Sequence, residues 1–154
     1  MTFSNDLQSA IEFVSAIMPA DADWWVIGST AVALLGIEVT VADIDVIASS
    51  EVISDVIAKI GLEPLPPKAD SRFRSTPFAR LERPGMLAIE LMGGLQVNDT
   101  DGWRPLIIAS RQAVRAGAAT VYVPSPQEQI EIFHRFGRDK DIKRAALVSR
   151  FTTG

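Results

Sequence analysis

Two spacings of apolar residues alternate along the chain. Four segments carry apolar residues three or four positions apart, which is the period of an amphipathic helix, and a fifth is small and apolar throughout. Serines or Pro126 stand where most of these helices would begin, and glycines or Pro19 stand where most would end. The pattern predicts a first helix that begins near residue 5 and ends before Pro19, followed by helices over 29–35, 51–60, 126–136 and 139–149.

Short apolar runs between these helices predict strands over 24–27, 43–48, 77–81, 87–92 and 121–123. The sequence Glu-Arg-Pro-Gly at 82–85 is typical of a hairpin turn between two of these strands. Segment 62–76 is rich in proline and charge, which predicts a mobile loop. The order of the elements predicts a single α+β domain over 1–154, with a mixed β-sheet flanked by helices and a helical C-terminal part over about 125–150.

Composition narrows the class of protein. The chain is 47% apolar and 22% charged with a net charge of −4, so it lacks the surplus of Lys and Arg that nonspecific nucleic-acid binding requires. It has no Cys and one His, His134, which excludes zinc sites built from cysteine or from several histidines. The N-terminus does not resemble a signal peptide, and no apolar run approaches the roughly 20 residues of a membrane span. We therefore expect a cytoplasmic location and no membrane partner.

One predicted strand carries two carboxylates, in the sequence Asp43-Ile44-Asp45-Val46. Side chains two residues apart on a strand face the same way, so Asp43 and Asp45 share one face and Ile44 and Val46 the other. Carboxylates this close repel each other unless a cation lies between them, and oxygen ligands favour Mg²⁺ or Mn²⁺. The alternative is a solvated strand face, because alternation of polar and apolar residues is typical of any half-exposed strand.

The residues around this strand help to decide between a metal site and a solvated strand face. Gly28 and Ser29 stand between a strand and a helix, where backbone N–H groups bind phosphate well, although Ser29 could instead only cap the helix. Glu90 lies in the middle of an apolar strand. It could complete a site of three acids with Asp43 and Asp45, or it could face solvent.

Taken together, these residues resemble the nucleotidyltransferase superfamily related to DNA polymerase β. The resemblance rests on Gly28-Ser29, a spacer of thirteen residues, the Asp-x-Asp of Asp43 and Asp45, and the later apolar strand around Glu90. The C-terminal stretch GRDKDIKRAALV is similar to a helical Arg-x-Lys-Asp segment of related proteins, and the similarity spans roughly residues 24 to 147. Small members include bacterial minimal nucleotidyltransferases, antibiotic nucleotidyltransferases and toxin–antitoxin enzymes of the AbiE type.

The resemblance implies the nucleotidyltransferase fold and a role for each matching residue. Asp43, Asp45 and Glu90 would bind Mg²⁺ or Mn²⁺, and Glu90 would also help to deprotonate the acceptor hydroxyl. Gly28 and Ser29 would hold the triphosphate, and the nucleotide-binding Lys of the C-terminal segment would be Lys140. Relatives often carry a further Lys five residues before the Arg, where this chain has Phe133.

Triphosphate transfer requires positive charge besides the metal. Arg72 and Arg74 lie in the predicted loop, where they could close over a nucleotide, or they could be ordinary surface arginines. Arg138 and Lys140 could pair with acids such as Asp139 or Asp141 instead of binding phosphate. Lys143 and Arg144 are expected on a solvated helix face. Trp103 could stack on a base or an acceptor, with packing as the alternative.

The resulting hypothesis is Mg²⁺-dependent transfer of a nucleoside monophosphate from a nucleoside triphosphate to an acceptor hydroxyl. The acceptor could be a small molecule, a protein or a tRNA. Since the chain is short, a homodimer or a partner protein could complete the acceptor site. One alternative is a non-catalytic, nucleotide-binding member of the same fold, such as a toxin–antitoxin component. Another is a glycosyltransferase that uses Asp-x-Asp, but such domains are usually longer and leave Gly28-Ser29 unexplained.

Overall fold

The computed structural model describes residues 3–67 and 70–154. These residues form five helices and nine strands. In chain order they are α1 Asn5–Ile17, β1 Trp24–Ile27, α2 Gly28–Leu34, β2 Asp43–Ala48, α3 Ser50–Ile60, β3 Phe73–Arg74, β4 Phe78–Leu81, β5 Ala88–Gly93, β6 Gln96–Asp99, β7 Gly102–Pro105, β8 Gln112–Ala116, β9 Ala119–Val123, α4 Pro126–Phe136 and α5 Asp139–Thr153. All five predicted helices and all five predicted strands are present, with shifted ends; α5, for example, continues past residue 149 to Thr153.

The central sheet has four strands in the order β1-β2-β5-β4. Strands β2 and β5 are parallel, whereas β1 pairs with β2 and β4 pairs with β5 in antiparallel orientation. The sheet is therefore mixed and carries helices, as the α+β prediction required. Strands β4 and β5 are consecutive and joined through the predicted turn region.

The two faces of this sheet are unlike each other. One face is apolar and fully buried under α1 and α3, with Ile44, Val46, Ile89 and Leu91 all at 0% exposure. The other face has an apolar part and a part that carries carboxylates. A second apolar cluster that includes Ile47 and residues of α4 covers part of it, and the carboxylates of β2 and β5 occupy the rest. The alternation of side chains along β2 thus separates core from site, as the sequence predicted.

Four of the nine strands were not predicted. Strands β3, β6 and β7 form a three-stranded sheet, and β8 pairs with β9 in a hairpin. These missed strands have two to five residues and mixed polarity, so they lack the periodic signal of a buried strand. Strand β3 lies inside the loop predicted for 62–76, where it pairs with β6. Residues 68 and 69 of that loop lie outside the described residues.

The helices begin and end at the expected kinds of residue. The hydroxyls of Ser4, Ser49 and Ser125 accept the backbone N–H three residues ahead and so cap α1, α3 and α4. Gly137, with φ at 71°, ends α4 in the left-handed conformation and turns the chain directly into α5. A third apolar cluster packs α2 against these two C-terminal helices. Of the helices in the described ranges, none has the length and apolar character that crossing a membrane demands.

Candidate active site

Four side chains lie in one row across the central sheet, one from each strand. Ile27 of β1 pairs with Asp45 of β2, Asp45 pairs with Glu90 of β5, and Glu90 pairs with Arg80 of β4. Asp43 lies two residues before Asp45 on the same face. The register of three strand pairs therefore places Glu90 between Asp45 and an unpredicted arginine, Arg80, near the point where β1 ends and α2 begins.

The three carboxylates form a tight cluster. One oxygen each from Asp43, Asp45 and Glu90 lies within 4.8 Å of the others, and all three residues are half-buried. Burial raises the pKa of Asp45 from 3.8 to about 7, and repulsion from Asp43 and Glu90 adds to the shift. A divalent cation would relieve this repulsion, and three carboxylate oxygens are the donors that Mg²⁺ or Mn²⁺ prefers. The residues present fit a hard divalent metal ion.

Gly28, which directly follows β1, leaves space for the Asp45 carboxylate because it has no side chain. Its φ of 72° is one that residues with a Cβ rarely adopt, and a Cβ built there would lie 3.1 Å from Oδ2 of Asp45. The next turn of chain is tied to β2, because the Thr30 hydroxyl donates to the Asp43 carbonyl at 3.2 Å. Ser29 does not cap α2: the cap position is Ile27, and it makes no side-chain capping bond. The capping alternative for Ser29 is therefore wrong.

Gly28→Ala is expected to weaken binding of Mn²⁺ by about tenfold or more, because the new methyl group would displace the Asp45 carboxylate. The left-handed backbone should also cost about 1–2 kcal/mol of stability. Calorimetric titration with Mn²⁺ and thermal melting would measure the two effects.

Gly61→Ala is the matched control for this variant. Gly61 has a φ of 70°, but a Cβ there would meet nothing within 4 Å. It should therefore show a comparable loss of stability with unchanged Mn²⁺ affinity. Equal metal affinity in both variants would show that Gly28 does not shape the acid cluster.

A cleft of about 440 Å³ opens beside Asp45 and Glu90. Part of its lining is aromatic and basic. Arg74 stacks on Trp103 with its guanidinium carbon 4.3 Å from the ring centroid, and Arg138 stacks on Phe73 at 4.8 Å. Phe73 in turn packs edge-on against Phe136 of α4. The lining of the cleft thus combines two carboxylates of the acid cluster with two stacked arginines, which suits a ligand with both phosphate and planar groups.

The other predicted cations lie elsewhere. Arg72 donates from Nη1 to the carbonyl of Phe136, so it fastens the 62–76 segment to the end of α4 rather than lining the cleft. Lys140 is exposed on the first turn of α5 and does not line the cleft either. Arg74, in contrast, lines the cleft, and its Nε also donates to Gln96 at 2.5 Å.

Sequence reasoning missed Arg80 and Arg144 as site residues, and it raised Arg138 only with the alternative that it pairs with acids such as Asp141. Arg80 contacts the acid cluster directly, Arg138 lines the cleft, and Arg144 is close enough for its charge to act on Asp45, lowering a pKa that burial raises. Arg144 was expected on a solvated face, but its side chain is only 20% exposed and its Nη1 lies 3.9 Å from Asp141. Buried Ala145 and Val148 mark the inner side of α5, and Arg144 lies next to that stripe. The position of Arg144 beside these apolar residues could have indicated from the sequence that its side chain is partly buried.

Solved structures with this architecture are nucleotidyltransferases, and the chain has the nucleotidyltransferase fold. A Thermotoga maritima protein assigned provisionally to that class, TM1012, superposes with a TM-score of 0.71 at 19% identity over 94% of this chain and 91% of its own. The lincosamide antibiotic adenylyltransferase LnuA, with lincomycin bound, gives 0.58 at 12% identity over 94% of this chain and 99% of its own.

The antibiotic-resistance factor ANT(2'')-Ia is also similar, with a TM-score of 0.54 at 13% identity over 96% of this chain and 83% of its own. The sequence itself matches no protein-family model and no curated protein. The likeness is therefore one of fold, and the resemblance inferred from Gly28-Ser29 and the Asp-x-Asp strand is confirmed at that level.

Proposed function

We propose that this protein is a metal-dependent nucleotidyltransferase that moves a nucleoside monophosphate from a nucleoside triphosphate to an acceptor hydroxyl. The observation that carries the proposal is the cluster of Asp43, Asp45 and Glu90 next to the Gly28 turn, within a nucleotidyltransferase fold. Mg²⁺ or Mn²⁺ would be held by these three carboxylates. Bound there, the ion supplies positive charge to the phosphoryl oxygens of the triphosphate.

The chain's own residues have separate tasks in this reaction. Glu90 is the candidate base, since it faces the cleft and can take the proton of the acceptor hydroxyl. The hydroxyl oxygen then bonds to the α-phosphorus, the bond from that phosphorus to the bridging oxygen breaks, and pyrophosphate leaves. The backbone at Gly28 and Ser29 would hold the phosphates, and most of the rate enhancement would come from alignment and charge stabilisation.

The cations of the cleft are the candidates for the nucleotide's remaining contacts. Arg74 and Arg138 line the same cleft as Asp45 and Glu90, and Arg144 adds positive charge near Asp45. We place Arg74 in the nucleotide site and regard Arg72 and Lys140 as secondary: Arg72 already bonds a carbonyl, and Lys140 is exposed.

A small molecule is the acceptor class that the cleft favours. A volume of about 440 Å³ with an aromatic wall is typical of a small-ligand site. Two proteins of similar fold are an antibiotic adenylyltransferase and an antibiotic-resistance factor. A protein side chain or a tRNA end remains the second choice, to be tested if no small molecule is modified. A homodimer or a partner protein would then supply the missing acceptor surface.

A second candidate function is nucleotide binding without transfer, as in a regulatory or toxin–antitoxin component. The observation in its favour is Arg80, whose guanidinium already bonds Asp43 and Glu90 where a metal would bind. In that case the protein would bind a nucleotide weakly and with little dependence on metal, and no acceptor would be modified.

Calorimetric titration with non-hydrolysable analogues of ATP, GTP, CTP and UTP, with and without Mg²⁺, separates the two candidates. The proposed enzyme should bind at least one analogue more than about tenfold tighter with Mg²⁺, and the double variant Asp43→Ala/Asp45→Ala should lose that gain. Asp55→Ala, an exposed acid of α3, is the control and should behave as the wild type. Metal-independent binding in all three proteins would support the second candidate.

A further inference from the structure

Arg80 occupies one edge of the acid cluster. Its Nη1 lies 3.2 Å from Oε2 of Glu90 and 3.5 Å from Oδ2 of Asp43, so one nitrogen bridges two of the three carboxylates. The bridge follows from the fold, because β4 and β5 pair Arg80 with Glu90 directly and β5 and β2 bring Asp43 alongside. The Arg80 side chain is 35% exposed, so the guanidinium is reachable from solvent.

A metal ion and this guanidinium would compete for the same two carboxylates, those of Asp43 and Glu90. A Mg²⁺ ion held by Asp43 and Glu90 would lie about 2.1 Å from a carboxylate oxygen of each. Nη1 of Arg80 would then be only a few ångströms from the ion, and the two positive charges would repel each other strongly at that distance. Repulsion between the two positive charges therefore opposes binding of a metal ion for as long as Arg80 keeps this position.

The guanidinium also has a second partner outside the acid cluster. Its Nε donates to Glu82 at 2.7 Å, and Glu82 is exposed and belongs to the connection after β4 rather than to the acid cluster. A hollow of about 430 Å³, lined by Arg80, Glu82, Arg83 and Met86 among others, lies on that side. A small rotation of the side chain could move Nη1 away from the acids while the bond to Glu82 persists.

We propose that Arg80 is the resident counter-ion of the acid cluster, which a divalent cation must displace, and that the displaced guanidinium stays bound to Glu82. This inference rests on the proposed function in so far as it places the metal at Asp43, Asp45 and Glu90. Arg80 neutralises part of the repulsion among the three acids and so keeps the site assembled in the absence of metal. The exchange weakens intrinsic metal affinity, so the site fills when a nucleotide brings further negative charge.

Direct metal binding, with no nucleotide and no activity assay, tests the exchange. Calorimetric titration of the full chain with Mn²⁺ should show Arg80→Met binding about tenfold tighter than the wild type, because a competing positive charge is gone. Arg80→Lys keeps the charge and should remain within about threefold of the wild type. Arg83→Met is the control: it removes a neighbouring arginine that contacts Phe13 rather than the acids, and it should leave Mn²⁺ affinity unchanged.

The stability of each protein, measured by thermal melting, confirms that it is folded and provides a second readout. Without metal, Arg80→Met should melt below the wild type, and saturating Mn²⁺ should raise its melting temperature by more than it raises that of the wild type. Equal or weaker Mn²⁺ binding by Arg80→Met would overturn the inference about Arg80 while leaving the metal site intact. If the wild type, Arg80→Met and Asp45→Asn all bind Mn²⁺ equally poorly, the proposed metal-dependent function fails as well.

Discussion

Asp45→Asn is expected to lower nucleotidyl transfer by about a thousandfold or more while making the metal-free protein more stable. Activity falls because the amide cannot replace a charged metal ligand. Stability rises because burial, together with repulsion from Asp43 and Glu90, makes the ionised Asp45 carboxylate unfavourable in the fold. From a pKa of about 7, we expect a gain of about 1–4 kcal/mol in the free energy of unfolding at pH 8.

The raised pKa of Asp45 also determines how the stability of the wild type changes with pH. The pKa of Asp45 is higher in the fold than its ordinary value of 3.8, so the folded state binds the proton more tightly than the unfolded chain does. Its contribution to stability is therefore fully present below pH 4 and is lost as the pH rises to about 7. The wild type should lose stability relative to Asp45→Asn over this interval, and the difference should stay constant above it.

Denaturant unfolding from pH 5 to pH 8 measures the difference, with exposed Asp55→Asn as the control that should follow the wild type. Mn²⁺ binding should strengthen over the same interval, since the metal requires the ionised carboxylate. Parallel stability curves for the wild type and Asp45→Asn would contradict the raised pKa. Transfer activity retained by Asp45→Asn would instead contradict the proposed role of Asp45 as a metal ligand.

The acid face of β2 could be predicted because its signal is local. Asp43 and Asp45 alternate with Ile44 and Val46, and a period of two is enough to assign opposite faces without knowing any partner strand. The same holds for Glu90 between Ile89 and Leu91. The three acids meet because β2 and β5 pair in parallel with Asp45 opposite Glu90. The resemblance implied that Glu90 completes the site, but the local pattern could not give this pairing.

Arg80 could not be placed in the same way, because its partner depends on the exact register of a hairpin. A tight turn at 82–85 would have put Arg80 opposite Leu87. The connection is longer, from 82 to 87, and Arg80 pairs with Glu90 instead. A shift of three residues in the pairing therefore decides whether Arg80 contacts the acid cluster or lies elsewhere on the surface.

The short strands outside the central sheet could not be predicted either, because part of their pairing depends on residues far away in the sequence. Strands β6 and β7 pair locally, but β3 is a two-residue strand whose pairing with β6 depends on contacts more than twenty residues away. The aromatic wall of the cleft depends on these pairings, since Phe73 lies on β3 and Trp103 on β7. Trp103 both packs against Arg74 and lines the cleft, so the two alternatives raised by the sequence do not exclude each other.

Asp141→Ala is expected to cost about 2–4 kcal/mol of stability and also to weaken nucleotide binding. Asp141 is fully buried. Its carboxylate accepts hydrogen bonds from Nε and Nη2 of Arg138 at 2.6 and 3.1 Å, and from the backbone N–H of Arg138 at 3.2 Å. Nη1 of Arg144 lies 3.9 Å away. Removing this carboxylate deletes the cap of α5 and frees two arginines, one of which lines the cleft and one of which acts on Asp45.

Asp139→Ala is the matched control, since Asp139 is an exposed acid in the same first turn of α5 and should cost at most about 1 kcal/mol. Thermal melting would measure stability, and titration with the analogue that binds the wild type, at a temperature where all proteins are folded, would measure nucleotide affinity. If Asp141 only supports the helix, Asp141→Ala should melt earlier yet bind nucleotide as the wild type does. A loss of affinity in the folded variant would show that Asp141 positions the arginines, because neither nucleotide nor metal can reach its buried carboxylate directly.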